Sequence, residues 1–403
     1  MKNKLQKHSR GILVAVAVLV IHLIIGMSIR GCSKSSGSAE KNYTAEEKSP
    51  GFLKRLFSNK EEKKTVKKEK EAAAEVPEVK KESKPKTKTL YRQTCKELPL
   101  WGTPFDFSQA KHGELPEYYA PGSKGAKSGI VVDLSTRKVL WEKNCHLKTG
   151  TASMAKLMTL LLFMEHIDAS SDITLETVAD VPKGVMKVPR SGVVYLAPGE
   201  KFSYRDIVKA ASIKSANDAA EMLALAMVPD TKLFPELMNR KAAQIGMKST
   251  RFINAHGLSE KTAGGKNDFS TSTAFDMIIL GERLLEYPVM MEFFSTQQGT
   301  LRENKPLIYT NTNKLVNPRY PGVDGMKTGY TRAAGFCLLF SAKRNGKRIM
   351  GCVTGFKSKV DRDRFCRKLV DWAFEPEKKI PVQRAAAAPQ RKKSSSKNSS
   401  KRK

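Results

Sequence analysis

The chain has 403 residues, 72 Lys+Arg against 40 Asp+Glu and a net charge of +32. The excess is uneven: +12 falls in residues 1–92, +9 in residues 376–403 and +11 in the long middle stretch. Neither basic end carries the interleaved aromatics of a nucleic-acid binder, and no zinc, helix-turn-helix or RNA-binding pattern occurs, so the ends read as solvated segments and no nucleic acid is expected as a partner.

Lys2, Lys4, Lys7 and Arg10 precede the apolar run GILVAVAVLVIHLIIGMSI, residues 11–29. It is long enough to cross a bilayer, and the basic flank keeps the N-terminus inside the cell. It exceeds the usual signal-peptide core and has a weak cleavage site at Gly26–Ser28; Arg30 spoils the lipoprotein pattern before Cys32. Residues 1–32 are therefore expected to be a membrane anchor or signal segment, an uncleaved anchor in the inner membrane being favoured over a cleaved signal, with the rest exported either way. Residues 33–92 are Lys/Glu-rich, free of aromatics over residues 59–89, and read as a disordered tether, within which the oily, basic GFLKRLF (51–57) could lie on a membrane surface. Residues 376–403 form a second disordered basic stretch.

The folded domain is expected over 93–375. GIVVDLSTRKVLWEKN predicts a hairpin with strands at 128–133 and 138–142. A helix follows from GTASMAKLMTLLLFMEH, then helices over 204–211, 218–226, 234–245 and 272–285. AAGFCLLFSAKRNGKRIMGCVTGF predicts two apolar strands around Asn345-Gly346, and a last helix is expected over 361–374. Strands at both ends of the segment predict one α/β (α+β) domain: an antiparallel sheet flanked by helices, with an all-helical subdomain inserted. Six cysteines in an exported chain permit disulfides, but Cys337 and Cys352 lie in apolar strands and read as buried hydrophobes.

Three polar clusters interrupt apolar sequence. Ser153 and Lys156 stand three apart at the start of the oily helix, hydroxyl and amine on one face. A lysine there is unfavourable unless something uses it, and a serine beside an amine is the pairing of a nucleophile with its base. Ser215 and Asn217 sit just before another helix, in SIKSANDAAEMLALA. Lys327, Thr328 and Gly329 lie in an expected strand, in GVDGMKTGYT. Each alone has a bland explanation as a cap or a chance tripeptide; in this order together they point to a serine acyl-transfer site.

The S-x-x-K, S-x-N and K-T-G series resembles the serine penicillin-recognising enzymes. YLAPGEKFSYRDIVKAASIKSANDAAEMLA, MNRKAAQIGMKSTRFINAHGL and DRDRFCRKLVDWAF resemble, more narrowly, the low-molecular-mass penicillin-binding proteins, the D-alanyl-D-alanine carboxypeptidases. The resemblance implies a β-lactamase/transpeptidase-like fold and removal of the terminal D-alanine from peptidoglycan stem pentapeptides. It implies acylation by β-lactams and a site on the outer side of the inner membrane. It implies Ser153 as nucleophile, Lys156 as base, Ser215 as proton relay and Asn217 as orienting group. The backbone N–H groups of Ser153 and Tyr330 would form the oxyanion hole. Lys327 and Thr328 would receive the terminal carboxylate beside Gly329, with Arg362 (Arg364 as the near alternative) helping to hold it. Tyr330 stands where some relatives have histidine. His256-Gly257 is implied as a loop-shaping element, and no metal or other cofactor is expected. A DD-endopeptidase acting on cross-links shares every one of these residues. A β-lactamase is disfavoured because the second motif has Ala216 at its centre and the nearest Glu/Asn pair, Glu236 and Asn239, is spaced wrongly. A catalytically dead wall-binding protein is disfavoured by the intact Ser153, Lys156 and Lys327.

Overall fold

The computed structural model describes residues 91–92, 102–117 and 122–375. The expected anchor, the tether up to residue 90, the segment 51–57, the basic C-terminal stretch, Cys32 and Cys95 lie outside the described residues. Among the described residues, no helix is long and apolar enough to cross a membrane.

A six-stranded sheet is built from both ends of the domain. Its strands in chain order are β1 (Lys111–His112), β2 (Ser128–Asp133), β3 (Lys138–Lys143), β6 (Val323–Thr331), β7 (Gly335–Arg344) and β8 (Lys347–Phe356). A separate hairpin, β4 (Gln298–Leu301) with β5 (Leu307–Thr310), lies between them in sequence. The sheet order is β1-β3-β2-β8-β7-β6, antiparallel except for the short β1–β3 pair. The β7–β8 hairpin turns at Asn345 and Gly346, both at positive φ (49° and 77°), which is the reason Asn-Gly marks such turns. β6 carries the Lys-Thr-Gly cluster and is the last strand, so one of its edges is left for something other than sheet.

The helices are α1 (Lys156–Ala169), α2 (Tyr204–Lys209), α3 (Asn217–Met227), α4 (Phe234–Gln244), α5 (Ala274–Leu285), α6 (Pro288–Ser295) and α7 (Lys359–Phe374). Helix α7 closes one face of the sheet, where Trp141, Phe340, Phe356, Phe365, Leu369 and Trp372 form a buried cluster. Helix α1 is apolar almost all round and buried from Lys156 to Met164, as a helix at the centre of a lobe must be. The helical insertion is as expected, with two differences. Helix α2 ends at Lys209 and passes into a π-helical turn over Ala210–Lys214. Ser153 stands in a 3-10 turn, Ala152–Ala155, that runs into α1 at Lys156. The i,i+3 neighbourhood survives because both windings bring such residues to one face. Tyr91 and Arg92, which composition assigns to the tether, make contacts with the helices. The Tyr91 amide donates to Asp168 (2.9 Å), and Arg92 pairs with Glu286.

Sheet and helical insertion are joined by a buried ion pair. Arg137, in the β2–β3 turn at φ 60°, is 5% exposed and pairs with Glu282 of α5, 4% exposed. Its guanidinium also donates to the Thr103 carbonyl (2.7 Å) and covers the Phe105 ring. Removing one buried partner strands the other's charge, whereas removing both does not. Arg137→Met is expected to lose about 3–5 kcal/mol of stability. The pair Arg137→Met with Glu282→Leu should recover most of that loss in urea titration; a double variant no better than the single one would contradict this account.

Candidate active site

The structure brings Ser153, Lys156, Asn217 and the 255–257 loop together. Lys156 is fully buried, and its Nζ lies 3.0 Å from Ser153 Oγ, 2.6 Å from Asn217 Oδ1 and 2.6 Å from the His256 carbonyl oxygen. Three polar neighbours surround one nitrogen, and none is a carboxylate. Burial drives the Lys156 ammonium well below its ordinary pKa, and the nearby Lys327 cation pushes it further down. A neutral amine has two N–H donors and one lone pair. Asn217 Oδ1 and the His256 carbonyl can only accept, so they take both donors, and the lone pair is left facing the Ser153 hydroxyl.

Each of those acceptors is itself held. Asn217 opens α3; its Nδ2 donates to the Ser191 carbonyl (2.5 Å) and its backbone N–H to the Gly192 carbonyl (2.8 Å). The 255–257 loop is pinned by Thr159, whose hydroxyl donates to the Ala255 carbonyl (2.7 Å). Asn254 Oδ1 receives the Gly257 N–H (2.6 Å). The His256 ring is buried and held down to a pKa of about 3 by desolvation and by Lys156, and its Nδ1 accepts the Leu258 N–H. His256 therefore serves through its main-chain carbonyl, with a neutral ring shaping the loop.

The nucleophile turn is packed between two glycines. Ala152, just before Ser153, has φ 45°, a conformation that side chains resist. A Cβ on Gly257 (φ 79°) would lie 2.0 Å from the Ala152 carbonyl oxygen, and one on Gly329 would lie 2.7 Å from the Thr151 carbonyl oxygen. The loop after His256 and the edge of β6 thus close on the same two residues from different elements.

Lys327 is fully buried on β6, and its pKa falls to about 7 through desolvation and the positive charge of Arg362. Thr328, 8% exposed, donates from Oγ1 to Thr312 Oγ1 at 2.9 Å. Tyr330 is 56% exposed and stacks on Phe336 with ring centroids 4.1 Å apart. Ser215 has left-handed backbone (φ 66°, ψ 33°) between the π-helical turn and α3, and its hydroxyl has no hydrogen-bond partner among the described residues.

Arg362 corrects an expectation. It is 2% exposed; one guanidinium nitrogen donates to the Cys337 carbonyl (3.0 Å) and the others to Asp363. It stands behind the strand as a charge acting on Lys327, not as an open receptor for a carboxylate. Arg364 is exposed and pairs with Asp361. The Glu/Asn pair near a β-lactamase spacing is also accounted for: Glu236 pairs with Arg240 along α4, and Asn239 holds both backbone groups of Phe252. Cys145, Cys337, Cys352 and Cys366 are buried free thiols, and no cluster able to hold a metal occurs among the described residues.

Sequence reading missed the stitching around these residues. Thr312 ties its N–H to the Ile213 carbonyl (3.1 Å) and its hydroxyl to Thr328. Asn313 donates to the Gly325 carbonyl (3.0 Å), and Asp218 accepts the N–H groups of Val194 and Leu196. The Asn-Thr-Asn run at 311–313 was a visible polar cluster; nothing in the sequence gave it partners.

The D-alanyl-D-alanine carboxypeptidase family matches residues 117–358. The chain belongs to that family. A Bacillus subtilis relative, D-alanyl-D-alanine carboxypeptidase DacF, is 35% identical over 259 residues, covering 64% of each chain, so the match spans less than two thirds of that relative's length. An Escherichia coli relative named D-alanyl-D-alanine endopeptidase is 30% identical over 264 residues, covering 64% of this chain and 80% of that one. Among solved structures, penicillin-binding protein D2 of Listeria monocytogenes in its ampicillin-bound form superposes with a TM-score of 0.54 at 30% identity, over 62% of this chain and 98% of that one. The fold is thus that of the low-molecular-mass penicillin-binding proteins.

The glycine packing makes a stability prediction. Gly257→Ala meets a carbonyl oxygen that cannot move without breaking the nucleophile turn. Gly265 has a similar φ of 73° but no atom within 4 Å of its added Cβ. Gly265→Ala should cost about 1 kcal/mol through backbone strain alone. Gly257→Ala should cost at least ~2 kcal/mol more. Equal thermal shifts for the two variants would show that the Ala152 contact is not rigid.

Proposed function

We propose that the protein is a serine D-Ala-D-Ala carboxypeptidase that removes the terminal D-alanine from peptidoglycan stem pentapeptides and is acylated by β-lactams. The observation that carries this reading is the Lys156 nitrogen: buried, bonded to no carboxylate, and 3.0 Å from Ser153 Oγ. Membership of the family and the acyl-transfer geometry support it. The catalytic domain would work outside the bacterial cytoplasmic membrane, held there by residues 11–29.

In this reaction the Lys156 lone pair takes the Ser153 proton as Oγ attacks the carbonyl carbon between the two D-alanines. The developing oxyanion is received by the N–H groups of Ser153 and Tyr330, fixed donors that need no reorganisation. The proton passes through the free hydroxyl of Ser215 to the departing amine, the C–N bond breaks, and D-alanine leaves. A water molecule, deprotonated by the Lys156 amine, then adds to the acyl carbon, the ester C–O bond breaks with Ser153 Oγ regaining a proton, and the shortened peptide is released. Lys327, while protonated, and Thr328 draw the terminal carboxylate to the strand edge. A β-lactam follows the same first step, but its leaving group stays tethered and obstructs water, so its acyl-enzyme persists. The endopeptidase reading draws on the relative of that name and differs only in what the outer strand edge accepts.

Two measurements test this. Fluorescent penicillin should label one peptide, the one holding Ser153, and Ser153→Ala and Lys156→Ala should each lose labelling by at least ~100-fold, the scale of a missing nucleophile or base. Rapid penicillin turnover with no D-alanine release would make the protein a β-lactamase; cleaved cross-links with little free D-alanine would make it an endopeptidase.

Lys156 must be neutral, and its lowered pKa places the rising limb of kcat/KM on the acid side. Lys327 must be protonated to draw a carboxylate, and with a pKa of about 7 in the free protein it loses that charge as pH rises. kcat/KM for a D-Ala-D-Ala peptide should therefore fall above about pH 7. Lys327→Arg should move that falling limb to higher pH, because a guanidinium keeps its proton. A limb unmoved in Lys327→Arg would assign the falling side to another group.

A further inference from the structure

The segment from Arg190 to Glu200 touches Asn217, which itself bonds Lys156, and it is built with unusual restraint. Asn217 holds the carbonyls of Ser191 and Gly192, and Asp218 holds the N–H groups of Val194 and Leu196. Arg302, from the turn after β4, donates to the carbonyls of Val194 (3.1 Å) and Tyr195 (2.7 Å) and to both carboxylate oxygens of Glu200 (2.7 and 2.8 Å). Glu200 in turn accepts the Ala197 N–H (2.8 Å). Within this frame Tyr195 is forced to φ 57°, yet its ring is 58% exposed. If only the turn mattered, glycine would adopt that φ without strain. An aromatic residue kept there, over-determined by hydrogen bonds from two sides and left open to solvent, is the pattern of a residue held for contact. Arg190 lies over its ring, 5.9 Å from the centroid, exposed and with no acidic partner among the described residues.

We propose that Arg190 and Tyr195 form a subsite for the upstream part of an acidic peptide, the guanidinium taking a carboxylate and the ring carrying the aliphatic chain beside it. The inference rests on the proposed peptidase reading for the direction in which the peptide lies. Asn217 is one hydrogen bond from Lys156, and Ser191 and Gly192 touch Asn217 directly. Tyr195 follows Gly192 by three residues, so it lies within about 10 Å of it along the chain. An extended peptide advances about 3.3 Å per residue. Adding the steps from Ser153 through Lys156 and Asn217 to Gly192 (3.0, 2.6 and 2.8 Å), the subsite lies within the span of about six extended residues upstream of the bond that Ser153 attacks. An exposed arginine without a carboxylate of its own is suited to that group, by paired hydrogen bonds as well as charge.

The test uses two synthetic pentapeptides ending in D-Ala-D-Ala, identical except that a γ-linked glutamate two places before the D-alanines has its α-carboxyl free in one and amidated in the other. Their binding to full-length Ser153→Ala in detergent is measured by calorimetry, and their kcat/KM with the unaltered protein by D-alanine release. The free acid should bind about tenfold more tightly, a factor worth about 1.4 kcal/mol, and the preference should appear in KM. Arg190→Gln should bring the ratio of the two peptides close to one. Tyr195→Gly should weaken both peptides several-fold while its melting temperature stays level or rises, because glycine relieves the φ; a merely structural tyrosine would give the opposite pair of changes. Equal affinities for the two peptides, or an Arg190→Gln variant that keeps the preference, would overturn the subsite. If no D-alanine is released from either peptide, the proposed function fails while the calorimetry still decides the subsite.

Discussion

The structure depends on keeping one amine buried without a counter-ion. Lysine in a protein interior normally either finds a carboxylate or loses its proton. Around Lys156 the fold supplies an amide oxygen, a main-chain carbonyl and a hydroxyl, and it places a second buried lysine nearby with an arginine behind that. The nearest carboxylate that favours the Lys156 charge is Asp218, but its oxygens already receive the N–H groups of Val194 and Leu196. The order of cations, Arg362 acting on Lys327 and Lys327 acting on Lys156, depresses each amine in turn, so one residue type takes two different states through different burial and neighbours.

That arrangement explains why the site is assembled from distant parts of the chain. The lone pair has a direction only if both other acceptors are fixed, and no single helix can fix them. Helix α1 contributes Lys156, α3 contributes Asn217, and the loop before residue 258 contributes the His256 carbonyl. The edge of β6 then presses Gly329 onto the turn that holds Ser153. A sheet made from both ends of the domain leaves β6 as a free edge at this place, and a free edge is where an extended peptide can add as a further strand. Sheet topology and acid–base chemistry are therefore linked through the same few residues.

Much of this was legible beforehand, and the reason differs by element. The β7–β8 hairpin was visible because Asn345-Gly346 determines its own turn, and α1 because fourteen residues with a sustained apolar run admit little else. Ser153 with Lys156 was visible because a polar pair conflicts with the helix around it. Arg362 was placed in the site by resemblance, yet its guanidinium is engaged by Cys337 and Asp363; sequence shows a charge but not which way it faces. Gly257 was read as loop-shaping, but its partner was not legible, and Thr312 was not legible at all, because their importance lies in what approaches them, the Ala152 carbonyl and the Thr328 hydroxyl, which are far away in sequence. The limit is one of contact order: local conflict can be read from the string, long-range contact cannot.

The same logic separates catalytic strain from incidental strain. Ala152 at φ 45° and Ser215 at φ 66° are both non-glycine residues in left-handed backbone; the first precedes Ser153 and the second opens the Ser-Ala-Asn motif. Each such residue costs roughly 1–3 kcal/mol and persists only where neighbours over-determine it. At Ala152 those neighbours are Gly257 and Gly329, whose missing side chains admit backbone to backbone contact. At Ser215 they are the π-helical turn, which adds a residue to the winding before α3, and the Ala216 N–H, which returns to the Ala210 carbonyl at 3.1 Å. A regular helix through residues 204–227 would satisfy propensity better but would rotate Asn217 away from Lys156. The irregular winding is thus the local concession by which the second motif reaches the first, and the apolar packing of α1, α3 and α5 is what makes it affordable.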